Sequence, residues 1–111
     1  MMNKDLELLV YLQDLDLMIE EAEDVEKLGF SITGCEELKQ AREETAEKIS
    51  KPNLYRYERL RGKLKRAIVP VKNDICLGCF LRQPTSIGKQ GRERSEIFTC
   101  ENCGRMLYWL D

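Results

Sequence analysis

The chain predicts an α+β fold: an N-terminal antiparallel helical hairpin with a short third helix, followed by a small C-terminal β ribbon. Three observations carry this. Leucines recur at coiled-coil spacing over the first 28 residues, a proline-led stretch with helical spacing begins at Pro52, and two C-x2-C pairs with flanking strand-forming residues occupy the last third. The division falls between residues 1–65, the helical region, and 66–111, the cysteine region. A length of 111 residues allows one small domain, or a helical part carrying a small metal-bound one.

Asn3 or Asp5 can cap a first helix that runs to about Leu28 and stops at Gly29. Leu8, Leu12, Leu15, Ile19 and Ala22 alternate in steps of four and three, and Leu9, Leu17, Met18 and Val25 widen that seam. Residues 29–34 form a short connection, in which Thr33 and Glu36 fit a capping box for a second helix ending near Ile49. Leu38, Ala41, Thr45 and Ala46 or Ile49 mark its apolar side. A turn this short favours an antiparallel pair. The first stripe is wider than the shorter partner covers, which points to a homodimer built as a four-helix bundle unless the C-terminal part folds back on it.

Pro52 suits the first turn of a third helix, and Leu54, Tyr57, Leu60 and Leu64 recur at helical steps until Gly62 weakens it. A basic run, Arg59, Arg61, Lys63, Lys65 and Arg66, overlaps the helix end and leads into Ala67–Val71, a short strand that Pro70 assigns to a sheet edge. Gln83–Ser86 and Gly88–Gly91 read as loops. Glu96–Thr99 and Met106–Leu110 read as strands on either side of the second cysteine pair, forming a hairpin to which Ala67–Val71 adds a third strand. Tyr108 and Trp109 point to opposite faces of such a strand.

Cys76, Cys79, Cys100 and Cys103 have the spacing at which four thiolates close a tetrahedron around one metal. With no histidine in the chain the ligand set is all thiolate. It fits one structural Zn2+ per chain, with rubredoxin-like iron and disulfide or dithiol redox chemistry as alternatives. Protein fills all four positions, so no place is left for a water or a substrate. In peptides structural zinc contributes about 10 to 16 kcal/mol to folding, more than so small a β segment gains from burial. Gly104 can take the positive φ such a turn needs. The first pair has Phe80 in that place and Gly78 inside its loop, so the two turns need not be identical. Cys35 is left over; a helix start can lower its pKa, but without a partner it reads as a small, partly buried residue.

The net charge of −2 hides an uneven distribution. Residues 1–50 carry 5 Lys/Arg against 14 Asp/Glu (−9) and residues 51–111 carry 13 against 6 (+7). The basic half suits RNA, DNA or an acidic protein, and the acidic hairpin suits protein contacts. Adjacent acidic pairs such as Glu43 and Glu44 point about 100° apart on a helix and do not converge on a substrate atom. No signal peptide is visible and the apolar runs are too short to span a bilayer, so a cytoplasmic protein with no membrane partner and no small-molecule substrate is expected.

The run Tyr55-Arg-Tyr-Glu-Arg-Leu-Arg61, then Ala67-Ile-Val-Pro-Val71, Cys76-Leu-Gly-Cys79 and Cys100-Glu-Asn-Cys103-Gly-Arg-Met-Leu-Tyr108 resembles the bacterial four-cysteine zinc ribbon family whose members carry a long N-terminal coiled-coil hairpin. The resemblance covers roughly residues 52–110, and the hairpin here is short for that family. It implies metal ligation by the same four cysteines and a non-enzymatic adaptor role. It also implies links to nucleic-acid binding, to the sigma-54 class of sigma factor, and to flagellar and type III secretion systems.

Three functions compete. In the first, structural zinc holds a basic ribbon against nucleic acid or an acidic protein, with Arg59, Arg61, Lys63, Lys65, Arg66, Arg92 and Arg94 as phosphate contacts and Tyr55 or Phe80 as stacking platforms. In the second, the acidic hairpin is the working surface and the ribbon only stabilises the fold. The third is electron transfer or thiol exchange, disfavoured by the absence of histidine and by the closed site.

Overall fold

The computed structural model describes residues 3–30, 33–93 and 96–110, with the backbone alone at 91–93. Helix α1, Lys4–Lys27, opens where the Asn3 side chain accepts hydrogen bonds from the amides of Asp5 (2.8 Å) and Leu6 (3.3 Å), and it ends ahead of Gly29 at φ 95°. Helix α2, Cys35–Glu47, runs back along it. Its N-cap is Gly34 at φ 91°, with no side-chain cap, so the expected Thr33 capping box does not form. The chain enters α2 through a left-handed backbone at Gly34, which glycine adopts without strain. Helix α3, Lys51–Arg61, follows with Pro52 in its first turn and Gly62 at its end.

Two polar clusters fasten the three helices. The Asp5 carboxylate accepts from the Ser50 hydroxyl (2.6 Å) and the Asn53 amide (2.8 Å), tying the starts of α1 and α3. Asp16 accepts from the Arg42 guanidinium (2.8 Å) and the Tyr57 hydroxyl (2.6 Å), joining all three helices, and Arg42 also reaches Glu58. Burial and the Asp16 carboxylate raise the Tyr57 hydroxyl far above its ordinary pKa, so it stays a donor.

The C-terminal part is a four-stranded sheet in the order β2-β1-β4-β3: β1 Ile68–Lys72, β2 Ile75–Cys76, β3 Phe98–Thr99 and β4 Met106–Trp109. Asn73 and Asp74, both at positive φ, make the two-residue turn between antiparallel β1 and β2. Strands β3 and β4 form the expected hairpin, and β1 joins β4 in parallel. Strand β1 is therefore interior, not the edge that Pro70 suggested. The proline is tolerated because β2 pairs only with Val71 and Lys72, and Pro70 itself needs only its carbonyl, which accepts from Leu77 N–H at 3.0 Å.

Residues 85–86 and 88–91 also depart from expectation. Gln83 and Pro84 stay outside any helix, but helix α4, Thr85–Glu93, takes in 85–86 and 88–91, started by the Pro84 carbonyl, which accepts from Ile87 (3.1 Å) and Gly88 (3.3 Å). Glycine costs about 1 kcal/mol in a helix, and packing of α4 on β4 outweighs that local preference.

Alternation along β1 and β4 sorts the core into two clusters. On one face Ile68 and Met106 join Leu6, Leu9 and Leu12 of α1 with Ile49, Tyr57 and Ala67. On the other, Val69, Val71 and Leu107 pack around Cys76 and Cys100. Tyr108 lies against the first cluster and Trp109 against the second, on opposite faces as expected. The α1 stripe that argued for a homodimer is thus largely covered within the chain, with Leu6, Leu9, Leu12, Leu15, Leu17 and Ala22 all buried.

Gln13, a buried polar residue inside that stripe, completes the junction. Its side-chain oxygen accepts from the amides of Ala67 (2.6 Å) and Ile68 (2.9 Å), and its amide donates to the Ile68 carbonyl (2.9 Å). Beyond the end of β2 the side of β1 has no strand beside it, and Gln13 satisfies those backbone groups in its place.

Candidate metal centre

The four cysteines converge. Their sulfurs all lie within 4.8 Å of one another, with Cys76 to Cys103 at 3.8 Å and Cys79 to Cys100 at 3.6 Å, and none is in a disulfide. A tetrahedron of 2.3 Å metal–sulfur bonds has edges of about 3.8 Å, so the donor set fits Zn2+ and leaves no open coordination position. Cys76 and Cys100 are buried and Cys79 and Cys103 half-buried, so the site, next to the ends of β2 and β3, is partly shielded from solvent.

Each knuckle is a closed turn of the same form. Phe80 N–H donates to the Cys76 carbonyl (2.7 Å), and Gly104 N–H donates to the Cys100 carbonyl (3.0 Å). Both residues have positive φ, 63° at Phe80 and 77° at Gly104. The two turns are alike, and Phe80 holds a backbone conformation that only glycine takes freely. Gly78 serves another purpose. An added Cβ there would stand 2.8 Å from the Arg105 side chain, which crosses from the second knuckle and donates to the Arg66 carbonyl at 2.9 Å.

Polar hydrogens surround the sulfurs. Cys100 accepts from its knuckle amide Cys103 N–H (3.5 Å) and from the buried Gln83 side chain (3.3 Å). The Leu81 backbone N–H, with the Asn102 side chain, holds the Cys79 thiol down to about 6. Burial pushes Cys76 up to about 12, against the Cys79 and Gly78 amides. A bound cation would hold all four as thiolates. Gln83 carries no motif signal; Asn102 and Arg105 lie within the run around the second cysteine pair, but only the fold shows what their side chains touch.

Other expected site residues scatter. Arg59, Lys63, Lys65 and Arg66 are exposed, Arg59 lying 5.8 Å above the exposed Tyr55 ring. Arg61 is withdrawn, its side chain 12% exposed, paired with Glu20 and bonded to the Lys65 carbonyl. Its position in the basic run could not show that α1 would supply a carboxylate. Phe80 is 71% exposed. The side chain of Arg92, and all of Arg94, lie outside the described residues. Cys35 is half-buried, donates to the Glu26 carboxylate at 3.4 Å, and is raised rather than lowered in pKa, first by desolvation and then by Glu26.

No family model matches the chain, and no curated protein does. Two solved structures are similar. CT398 from Chlamydia trachomatis is 28% identical with a TM-score of 0.63, over 78% of this chain and 36% of that one. The HP0958 protein from Helicobacter pylori is 28% identical with a TM-score of 0.62, over 85% of this chain and 38% of that one. The chain spans well under half the length of either. The chain thus joins helices to a four-stranded sheet whose four cysteines are placed to hold a metal, it shares its fold with part of each of these two proteins, and no described helix is long and apolar enough to cross a membrane.

Proposed function

We propose that the chain is a non-enzymatic binding module in which one structural Zn2+ fixes a basic surface that contacts nucleic acid. The observation that carries this is the pairing of a closed four-thiolate site with exposed cations around it: Arg56, Arg59, Lys63, Lys65 and Arg66 at the junction, and Arg82 beyond the first knuckle. All four sulfurs point at one another, so zinc there would organise structure and leave no place for substrate. Exposed Tyr55 and Phe80 offer rings for unpaired bases, which favours single strands. A role in sigma-factor or secretion regulation rests on the sequence resemblance alone.

Fluorescence anisotropy of the zinc-loaded protein with single-stranded RNA, in a salt series, tests the reading. Four phosphate contacts give a slope of about −2.8 in log affinity against log salt, roughly a fiftyfold loss from 50 to 200 mM. A flat series removes it.

A second reading is favoured by a separate observation. Leu28 and Phe30 at the hairpin turn are 76% and 65% exposed, among Glu23, Asp24, Glu26, Glu36 and Glu37. An acidic, apolar-tipped hairpin suits a protein partner. On this reading Phe30→Ser weakens partner capture and leaves RNA affinity at background.

A further inference from the structure

A cleft of about 200 Å³ opens between α3 and the second knuckle, lined by Arg56, Arg59, Leu60, Lys63 and Gly104. Arg56, Arg59 and Leu60 share one face of α3, and Lys63, in the turn just past its end, lines the same cleft, so the cations form one line with Leu60 between them. None of the ion pairs among the described residues uses Arg56, Arg59 or Lys63. The Tyr55 ring supports Arg59 from behind, 5.8 Å from the guanidinium carbon. Opposite, Gly104 has nothing within 4 Å of where a Cβ would stand, so the far wall is open backbone that an anion can approach closely.

We propose that this cleft seats a phosphate monoester, such as the phosphorylated 5′ end of a single strand. The proposal rests on the nucleic-acid reading and names the group that reading would place. A diester carries one charge, whereas a monoester carries about −1.5 to −2 near neutral pH and presents three oxygens. Three cations on one short stripe match the second better than the first. Arg56 and Arg59 supply fork-shaped donors, and Lys63 a point charge, so the oxygens have separate partners. Part of the stripe's charge offsets the −2 of a zinc-loaded four-thiolate site, one residue away at Cys103. The competing role is therefore charge balance for the metal.

The experiment uses the zinc-loaded full chain and one short oligoribonucleotide sequence, with a 5′-phosphate and with a 5′-hydroxyl. The phosphorylated form is expected to bind about tenfold tighter, the effect of one charge-assisted contact. In the doubly substituted Arg56→Gln, Lys63→Gln protein that preference disappears while both strands still bind. These side chains are exposed, so zinc stoichiometry and circular dichroism are expected to match the parent. Adenosine monophosphate, followed by the Gly104 amide resonance, distinguishes a free nucleotide from a strand end. A shift at Gly104 with no strand binding keeps the phosphate seat and removes the nucleic-acid reading. Equal binding of the two strands, with no Gly104 shift, overturns the seat and leaves the nucleic-acid reading standing. A double variant that weakens zinc but keeps the tenfold preference assigns the stripe to charge balance and also overturns it.

Discussion

Gln13→Ala tests whether the helices and the ribbon fold as one unit. The wild-type side chain satisfies three buried backbone groups, the amides of Ala67 and Ile68 and the carbonyl of Ile68. Gln13 is 3% exposed and Ala67 and Ile68 are no more so, which leaves water little access to replace it. An unsatisfied buried group costs about 1–3 kcal/mol, so three of them give a loss of at least about 3 kcal/mol. With a slope of about 1–3 kcal/mol per molar urea, the midpoint of unfolding falls by roughly 1–3 M. Gln13→Met separates the cause: it fills the volume but makes no hydrogen bond, and should lose nearly as much. Amide exchange at Ala67 and Ile68 should accelerate in both variants while the far end of α1 keeps its protection. A loss under about 1 kcal/mol in Gln13→Met would refute the reasoning and assign the contribution of Gln13 to packing.

Removing the metal with a chelator should red-shift the emission of Trp109, which packs on the cysteine cluster, and lower the melting of the helices too, because Ile68 and Met106 belong to the helix core; an unchanged helix transition rejects the shared core. Hydrogen bonds from Ser50, then Asn53, hold the Asp5 carboxyl below its ordinary value, so its stabilisation is present above the unfolded value and lost as pH falls through the folded one. Asp5→Asn should therefore flatten the acid limb of stability, at and below the ordinary aspartate range, in a pH series of melts. Phe80→Gly should raise the melting temperature of the zinc-loaded protein while weakening single-strand binding; a gain in stability with unchanged binding would show that Phe80 contacts no base.

How much was legible depends on whether a signal was local. The cysteine spacing, the Asn3 cap, the Pro52 start and the Gly29 stop are each written in a few adjacent residues, and each stands in the structure. So is the opposition of Tyr108 and Trp109, since side chains alternate along any strand. What failed depends on remote neighbours. Pro70 reads as an edge signal, yet β1 is interior, because the proline's side of the strand meets β2 only past Pro70 and meets Gln13 before it. Gly88 and Gly91 read as loop, yet packing on β4 keeps α4 helical. Arg61 reads as a phosphate contact like its neighbours, but its phase on α3 turns it toward Glu20 of α1. Gln13 and Gln83 gave no signal, being single amides whose partners lie 55 and 17 residues away.

The two knuckles bear most directly on function through the residue that closes each turn, Phe80 in the first and Gly104 in the second. Their backbones close in the same way, and the second uses glycine where positive φ is required. In the first, Phe80 accepts about 1–2 kcal/mol of local strain that glycine would remove, less the roughly 0.5–1 kcal/mol by which glycine favours the unfolded chain. Burial does not explain the phenylalanine, since it is 71% exposed, with Leu77 and Leu81 beside it 37% and 49% exposed. A strained, solvent-facing aromatic on a rigid metal knuckle weakens the free protein without filling its core. Stacking against a base contributes about 1–3 kcal/mol, enough to offset that strain, but only in a complex. On the nucleic-acid reading the ring would gain where a base covers it, and a metal held by the four cysteines would fix its direction beforehand, so that little ordering would remain to be done on binding.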